Sequence, residues 1–287
     1  MSHTRVLVTG AAGQLAQALI EEFGPDHDLV RAAHADLDIA NERQVLTRLV
    51  ALQPAVILNC AAYNKVDLAE DHAVAALDVN AFGVRSLARG AAQVGATLVH
   101  FSTDFVFNGT AAQPYTEEDR PNPGNVYGAS KLLGEWFARE APRHYVLRVE
   151  SLFGGPKAIS SIDRIVDAII ERREVRVFAD RIVSPSYVVD VAMAARRLLE
   201  RSLAFGLYHC VNLGHASWLE LTREAVRLIG GDARVIPVRL ADVALRARRP
   251  RFSALSNAKL AAAGIVMPDW QDALRRYVAA RTGAALT

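Results

Sequence analysis

The chain has 287 residues, with 33 lysines and arginines against 31 aspartates and glutamates, and 51% of it is apolar. That composition is too hydrophobic for disorder, no apolar run reaches the ~18 residues of a membrane-spanning helix, and a net charge of +2 is too small for the basic field that nucleic acid or an anionic membrane attracts. What remains is a globular protein with room for one large or two modest cores. The start of the chain could pass for an export signal, but Gly10, Gly13 and Gln14 interrupt its apolar stretch, so a cytoplasmic protein is expected. Cys60 and Cys210, far apart in apolar contexts, are expected as buried free thiols.

In chain order, strand patterns over 5–9, 28–33, 55–59, 97–101 and 145–149 alternate with helical patterns over 14–23, 41–51, about 68–94 and 127–139. Strands apolar on both faces, separated by helices, predict an α/β fold: a Rossmann-type doubly wound parallel sheet covered on each side. Asn41 with Gln44, and Ser217 with Glu220, have capping-box spacing. Beyond Val149 the pattern loosens, with strand-like pieces at 174–178, 206–211 and 234–238 among helices near 160–172, 187–201, 217–229 and 269–280. These predict a smaller α/β substrate-binding lobe. The expected division gives residues 1–150 and about 174–205 to the dinucleotide-binding unit, and about 151–173 and 206–287 to the lobe.

The first strand runs into Gly10-Ala11-Ala12-Gly13-Gln14-Leu15-Ala16. Gly10 permits a tight turn, and Gly13 lets the backbone approach a pyrophosphate held at the helix N-terminus. Two glycines after a strand also fit an ordinary turn, and the third fingerprint position is Ala16, tolerable for close helix packing. No carboxylate stands at the end of the second strand, where the first acids are Asp36 and Asp38. Arg31 or His34 would suit a 2′-phosphate, which favours NADPH, with NADH as the alternative.

Tyr127 and Lys131 lie four residues apart, on one face of a helix. A phenol with an ordinary pKa of about 10 handles protons near neutrality only beside a stabilising positive charge, which Lys131 would supply. The same spacing is common on solvated helices. Upstream, an apolar strand ends in Phe101-Ser102-Thr103-Asp104, and ligands of parallel sheets bind beyond such carboxyl ends. Thr103 and Asp104 would otherwise cap a turn.

Further segments complete the pattern: Asn59-Cys60-Ala61-Ala62-Tyr63, Val79-Asn80-Ala81, Pro123-Gly124-Asn125-Val126-Tyr127, Ser184-Pro185-Ser186 and Met267-Pro268-Asp269-Trp270. Together they resemble the extended short-chain dehydrogenases/reductases, and among them the dTDP-4-dehydrorhamnose reductase family, over nearly the whole chain. The resemblance implies hydride transfer from NADPH to C4 of a nucleotide-linked 4-keto-6-deoxy sugar. Tyr127 would be the proton donor, Lys131 its partner, and Thr103 a hydroxyl bonding the same oxygen. Gly10, Gly13, Gln14, Leu15, Asp38, Ile39, Ala61, Ala62, Tyr63 and Phe101, with Tyr127 and Lys131, would bind the dinucleotide, while Thr103, Asp104 and Tyr127 face the sugar. The family usually has Arg-Thr-Ser-Trp where this chain has Arg148-Val149-Glu150-Ser151, so Ser151 replaces a pocket tryptophan.

No metal is expected: Gln17 has no acid nearby of the kind some members use for a magnesium-bridged dimer, and neither cysteine has a second one close by. A homodimer is compatible with the sequence. The cluster Arg246, Arg248, Arg249 and Arg251 suits either a substrate pyrophosphate or a solvated surface, ahead of nucleic acid. Two other functions compete with the reductase. A non-catalytic NADP-binding regulatory subunit, similar to the methionine adenosyltransferase β subunit, would be free to lose Tyr127 or Lys131. An epimerase is disfavoured by the terminal Pro268-Asp269-Trp270 segment.

Overall fold

The computed structural model describes residues 4–230 and 233–283. Strands β1 (Arg5–Thr9), β2 (Asp28–Ala32), β3 (Val56–Asn59), β4 (Thr97–Thr103) and β5 (His144–Val149) form one parallel sheet, completed by a sixth strand, Gly206–His209. From one edge the order is sixth strand, β5, β4, β3, β1, β2. The winding therefore reverses between β1 and β3, and a crevice opens beyond their carboxyl ends.

The helices are α1 (Gln14–Phe23), α2 (Glu42–Leu52), α3 (Val66–Ala69), α4 (Ala73–Leu77), α5 (Gly83–Val94), α6 (Val126–Ala138), α7 (Ser161–Ile170), α8 (Val188–Glu200), α9 (Trp218–Ile229), α10 (Ala258–Ala262) and α11 (Trp270–Thr282). Period-2 alternation along each strand fills both faces of the sheet. Val6 and Val8 point toward a core with Leu19 of α1 and Val191 of α8. Leu7 points to the opposite core with Leu49 of α2 and Leu87 of α5.

The single long helix expected over 68–94 is broken. After α3 and α4, residues Asp78–Phe82 widen into a π-helical turn before α5 begins at Gly83, a feature common at functional sites. The turn carries Asn80 inward, where its amide accepts from Tyr63 N (2.8 Å) and donates to Tyr63 O (3.1 Å) and Ser130 Oγ (2.9 Å). It thereby fixes the loop that follows β3. The Ser217–Glu220 capping box is complete. At Asn41 only half forms: Gln44 N donates to the Asn41 side chain, but the Gln44 side chain accepts from Asp38 N.

The lobe has its own core, with Ile162 and Val166 of α7, Leu221 of α9 and Leu274 of α11. Its parallel pair joins Val175–Phe178 to Val235–Val238. Strand pairing thus differs from the expected bounds at two places: Val175–Phe178 pairs within the lobe, and Gly206–His209, expected in the lobe, lies beside β5 in the main sheet. Both are four-residue runs whose composition does not specify a partner, so packing decides. In the rest of the expected assignment, α8 packs on α1.

Candidate active site

At the end of β4 the chain turns through a short 3₁₀ segment, Asp104–Val106. Thr103 Oγ1 accepts from Phe105 N (3.2 Å) and donates to Asp104 Oδ1 (2.9 Å). Thr103 therefore does cap a turn, while its hydroxyl also lines a cleft of about 570 Å³. Helix α6 starts against this turn, its N-terminus capped by Asn125, which accepts from Gly128 N (2.7 Å). A Cβ at Gly128 would stand 2.2 Å from Phe105 O, so only glycine lets α6 approach closely enough to seat Tyr127 beside Thr103.

Tyr127 is buried, with its ring edge on Phe105 at 5.5 Å and its hydroxyl 3.4 Å from Asn64 Oδ1, to which it donates. Burial pushes the phenol well above its ordinary range, the Asp104 carboxylate adds to this, and Thr103 opposes it. In the cofactor-free protein, burial thus outweighs any lowering by Lys131, and the phenol holds its proton. Lys131 Nζ, also buried, donates to Phe101 O at 2.6 Å. Burial pulls the ammonium down to about 8, against the favourable charge of Glu135.

Beneath the pair, Arg148 and Glu135 form a buried ion pair at 2.7 Å. Ser102 Oγ also donates to Glu135 (2.6 Å), and the guanidinium lies 4.9 Å from the Phe107 ring centre. This network ties α6 to β4 and β5, and so sets the height of Lys131.

The glycine turn meets the loop after β3 at van der Waals distance. Gly10 has φ +61°, and a Cβ there would lie 2.6 Å from Ala61 N. Thr9 Oγ1 donates to Asn59 Oδ1 (2.7 Å), which also accepts from Ala61 N (3.2 Å), locking the two loops together. Gly13 precedes α1 without any side-chain cap, and the first turn has no acid. The unpaired amides and the helix dipole therefore face the crevice and fit a dinucleotide pyrophosphate.

The cleft brings together Gly13, Gln14, Leu15, Ala62, Phe101, Thr103, Asp104, Tyr127 and Lys131. Gly10 and Ala61 form the loop crossing behind it. Tyr63 is held through its backbone by Asn80. Ile39 is buried against Gly83, and Asp38 accepts from Ala40 N on the loop after β2. Those five residues are not part of the cleft lining. The Gln14 side chain donates to Gly154 O and Asp163 Oδ2, both at 2.8 Å, joining the helix to the lobe. Both cysteines are free thiols: Cys210 is buried, and Cys60, expected buried, is partly exposed where it lines the cleft.

Other cleft residues carry no sequence motif: Glu150, Arg181 and Trp218. Glu150 accepts from Ser184 N (2.7 Å) and from the Ser253 hydroxyl. Burial and the neighbouring Asp104 raise its carboxyl well above the usual range. Arg249 lines the cleft and also a neighbouring groove of about 730 Å³ bordered by Arg248 and Arg251. Of this basic cluster, Arg246 pairs with Asp71 and Arg249 with Asp67, each at 2.6 Å.

Residues 4–282 match the family model described as the RmlD substrate binding domain. A dTDP-4-dehydrorhamnose reductase of Sinorhizobium fredii is 35% identical over 288 residues, covering 96% of both chains. The chain belongs to the dTDP-4-dehydrorhamnose reductase family. The spore coat polysaccharide biosynthesis protein SpsK of Bacillus subtilis is 32% identical over 98% of this chain and 99% of that one. A crystal structure of dTDP-4-dehydrorhamnose reductase from Bacillus anthracis in complex with NADP superposes with a TM-score of 0.92 at 36% identity, covering 96% of this chain and 99% of that one. In this member of the family, Ser151 lines the cleft at φ +43°, and an indole reaches the same cleft from Trp218 at the start of α9.

Proposed function

We propose that the protein reduces the 4-keto group of a nucleotide-linked 4-keto-6-deoxy sugar with NADPH, NADH being the alternative. The observation that carries this reading is the convergence of Tyr127, Thr103 and Lys131 in one cleft with the uncapped N-terminus of α1. The NADP complex of the Bacillus anthracis relative and the crevice at the sheet's reversal point support the cofactor assignment. Bound nicotinamide supplies the hydride.

The protein's own groups do the rest. Amides of the first α1 turn hold the pyrophosphate, and Lys131 moves from Phe101 O to the ribose side of the cofactor. Thr103 turns its hydroxyl from Asp104 to the substrate carbonyl oxygen. Tyr127, kept protonated by its buried setting, delivers its proton to that oxygen as negative charge develops there. The groove beyond Arg249 receives the nucleotide, with Arg248, Arg249 and Arg251 near its phosphates.

The same reading includes a cytoplasmic enzyme; no helix among the described residues is long and apolar enough to cross a membrane. It also includes a homodimer, for which the exposed rings of Phe82 and Trp136 offer an apolar surface. The regulatory-subunit alternative is disfavoured because Tyr127, Lys131 and Thr103 are all retained and share one cleft.

The test is NADPH oxidation with a panel of dTDP-4-keto-6-deoxy sugars. Wild type is expected to turn over at least one, and Tyr127→Phe to lose at least about 100-fold in kcat with unchanged NADPH affinity. Tight NADPH binding without turnover of any sugar would shift the reading to the regulatory role.

A further inference from the structure

Arg249 stands where cleft and groove meet, and its guanidinium is already engaged. Its side chain lines both the cleft that holds Tyr127 and the groove bordered by Arg248 and Arg251. Only 13% of that side chain is exposed, and the guanidinium lies 5.9 Å from the Phe105 ring centre. In the free protein Nη2 donates to Asp67 Oδ2 at 2.6 Å, and Nη1 donates to Ala247 O at 2.9 Å.

Asp67 sits on α3, 182 residues earlier in the chain, and is not part of the lining of either the cleft or the groove. Its other oxygen accepts from Ala247 N (3.0 Å), so one carboxylate holds both the backbone and a side chain of the stretch 246–251. That stretch has further anchors: Arg246 pairs with Asp71 at 2.6 Å, and Arg248 O accepts from the Asn125 side chain at 2.8 Å. Fixing its course therefore does not require the Asp67–Arg249 pair. What the pair does is neutralise the guanidinium that cleft and groove share. Arg251, by contrast, has its nearest carboxylate, Asp180, at 3.8 Å, and its side chain is 71% exposed.

We propose that Asp67 is an internal competitor for the phosphates of the nucleotide: it holds Arg249 in the free protein, and an entering nucleoside diphosphate takes the guanidinium over. The inference rests on the reading that places those phosphates beside Arg249. Carboxylate and phosphate both suit the guanidinium fork, and two anions on one cation repel each other, so engagement by one weakens the other. The exchange needs little movement. Ala247 O lies within the same stretch of chain, and its bond keeps the guanidinium at the junction while the anionic partner changes. The competition acts on substrate and product alike, because both carry the diphosphate. Asp67 thus lowers the affinity for each, and it re-engages Arg249 as the product leaves.

The experiment uses the full chain loaded with NADP⁺ and measures dTDP binding by calorimetry in the wild type, Asp67→Asn, Arg249→Ala and the double variant. Asparagine keeps an oxygen to accept from Ala247 N and removes only the charge. Asp67→Asn is expected to bind dTDP about threefold to fivefold more tightly than the wild type, the worth of one partly exposed ion pair. In the Arg249→Ala background the same substitution should change the affinity by less than about twofold. If Asp67→Asn does not fold, as judged by NADP⁺ binding, Asp67→Ser, whose hydroxyl can still accept from Ala247 N, decides. Unchanged or weaker dTDP binding in the folded variant overturns the proposal. So does an equal gain without Arg249, which would make Asp67 a general negative charge near the groove. If Arg249→Ala itself leaves dTDP affinity unchanged, the placement of the phosphates falls and the competition with it. If Arg249→Ala weakens binding and Asp67→Asn does not strengthen it, the placement stands and the competition alone is overturned.

Discussion

Lys131 is the most exposed point of the electrostatic argument, because its burial is complete and its charge is needed. Its ammonium is pulled from an ordinary 10.5 down to about 8 by burial, with Phe101 O as hydrogen-bond partner at 2.6 Å. A depressed lysine means that the unfolded chain binds the proton more tightly than the folded one. Stability of the cofactor-free protein must then rise with pH between about 8 and 10.5. Below 8 both states are protonated and the cost of the buried charge is felt in full; above 10.5 both are neutral. The shift corresponds to about 3 kcal/mol at its limit, of which about 2.5 kcal/mol develops between pH 7 and 10. Lys131→Met removes this linkage but orphans Phe101 O, so absolute stabilities are less informative than their pH dependence. Urea unfolding of both proteins without cofactor, at pH 7 and pH 10, reads it directly. The stability of the variant minus that of the wild type should fall by about 2–3 kcal/mol across that range. A difference constant to within about 0.5 kcal/mol would refute the buried-ammonium argument.

Other consequences follow from the same geometry. Gly10→Ala sets a Cβ 2.6 Å from Ala61 N at φ +61°; it should cost about 2–4 kcal/mol in urea unfolding and weaken NADPH binding measured by fluorescence. Glu135→Gln leaves the Arg148 guanidinium buried without its carboxylate, a loss of about 3–5 kcal/mol that a Glu135→Leu/Arg148→Met double variant should largely recover in the same assay. Arg249→Ala, at the junction of cleft and groove, should raise KM for the sugar nucleotide about tenfold while leaving KM for NADPH unchanged, if the proposed phosphate contact is made equally in ground and transition states.

The cofactor half was legible because its signals are local. A β-branched run, a glycine turn and an uncapped helix start all lie within residues 5–16, and Tyr127 with Lys131 needs only one helix face. The sheet order was partly hidden: Gly206–His209 and Val175–Phe178 are equally short, and only packing against β5 or against Val235–Val238 separates them. The π-helical turn at Asp78–Phe82 was also invisible, since its cause is a side chain, Asn80, reaching a loop 17 residues away. Thr103, Asp104 and Tyr127 were legible in the cleft, but the residues that face them were not. Glu150 and Arg181 lie in loops and Trp218 starts α9, and nothing in their spacing announces that they line one cleft. Arg181 follows Asp180 in the sequence, a pairing that reads as a solvated charged turn, and only the fold sets its guanidinium against Phe105 and Trp218.

The central claim is that a hydride from the cofactor arrives at C4 of the sugar while Tyr127 delivers a proton to its oxygen. NADPH deuterated at the transferring position, incubated with the protein and a dTDP-4-keto-6-deoxy sugar, tests it in one step. Deuterium is expected at C4 of the product by NMR, one per NADPH oxidised, with Tyr127→Phe forming that product at least about 100-fold more slowly. A product formed without deuterium at C4, or formed equally well by the variant, would contradict it.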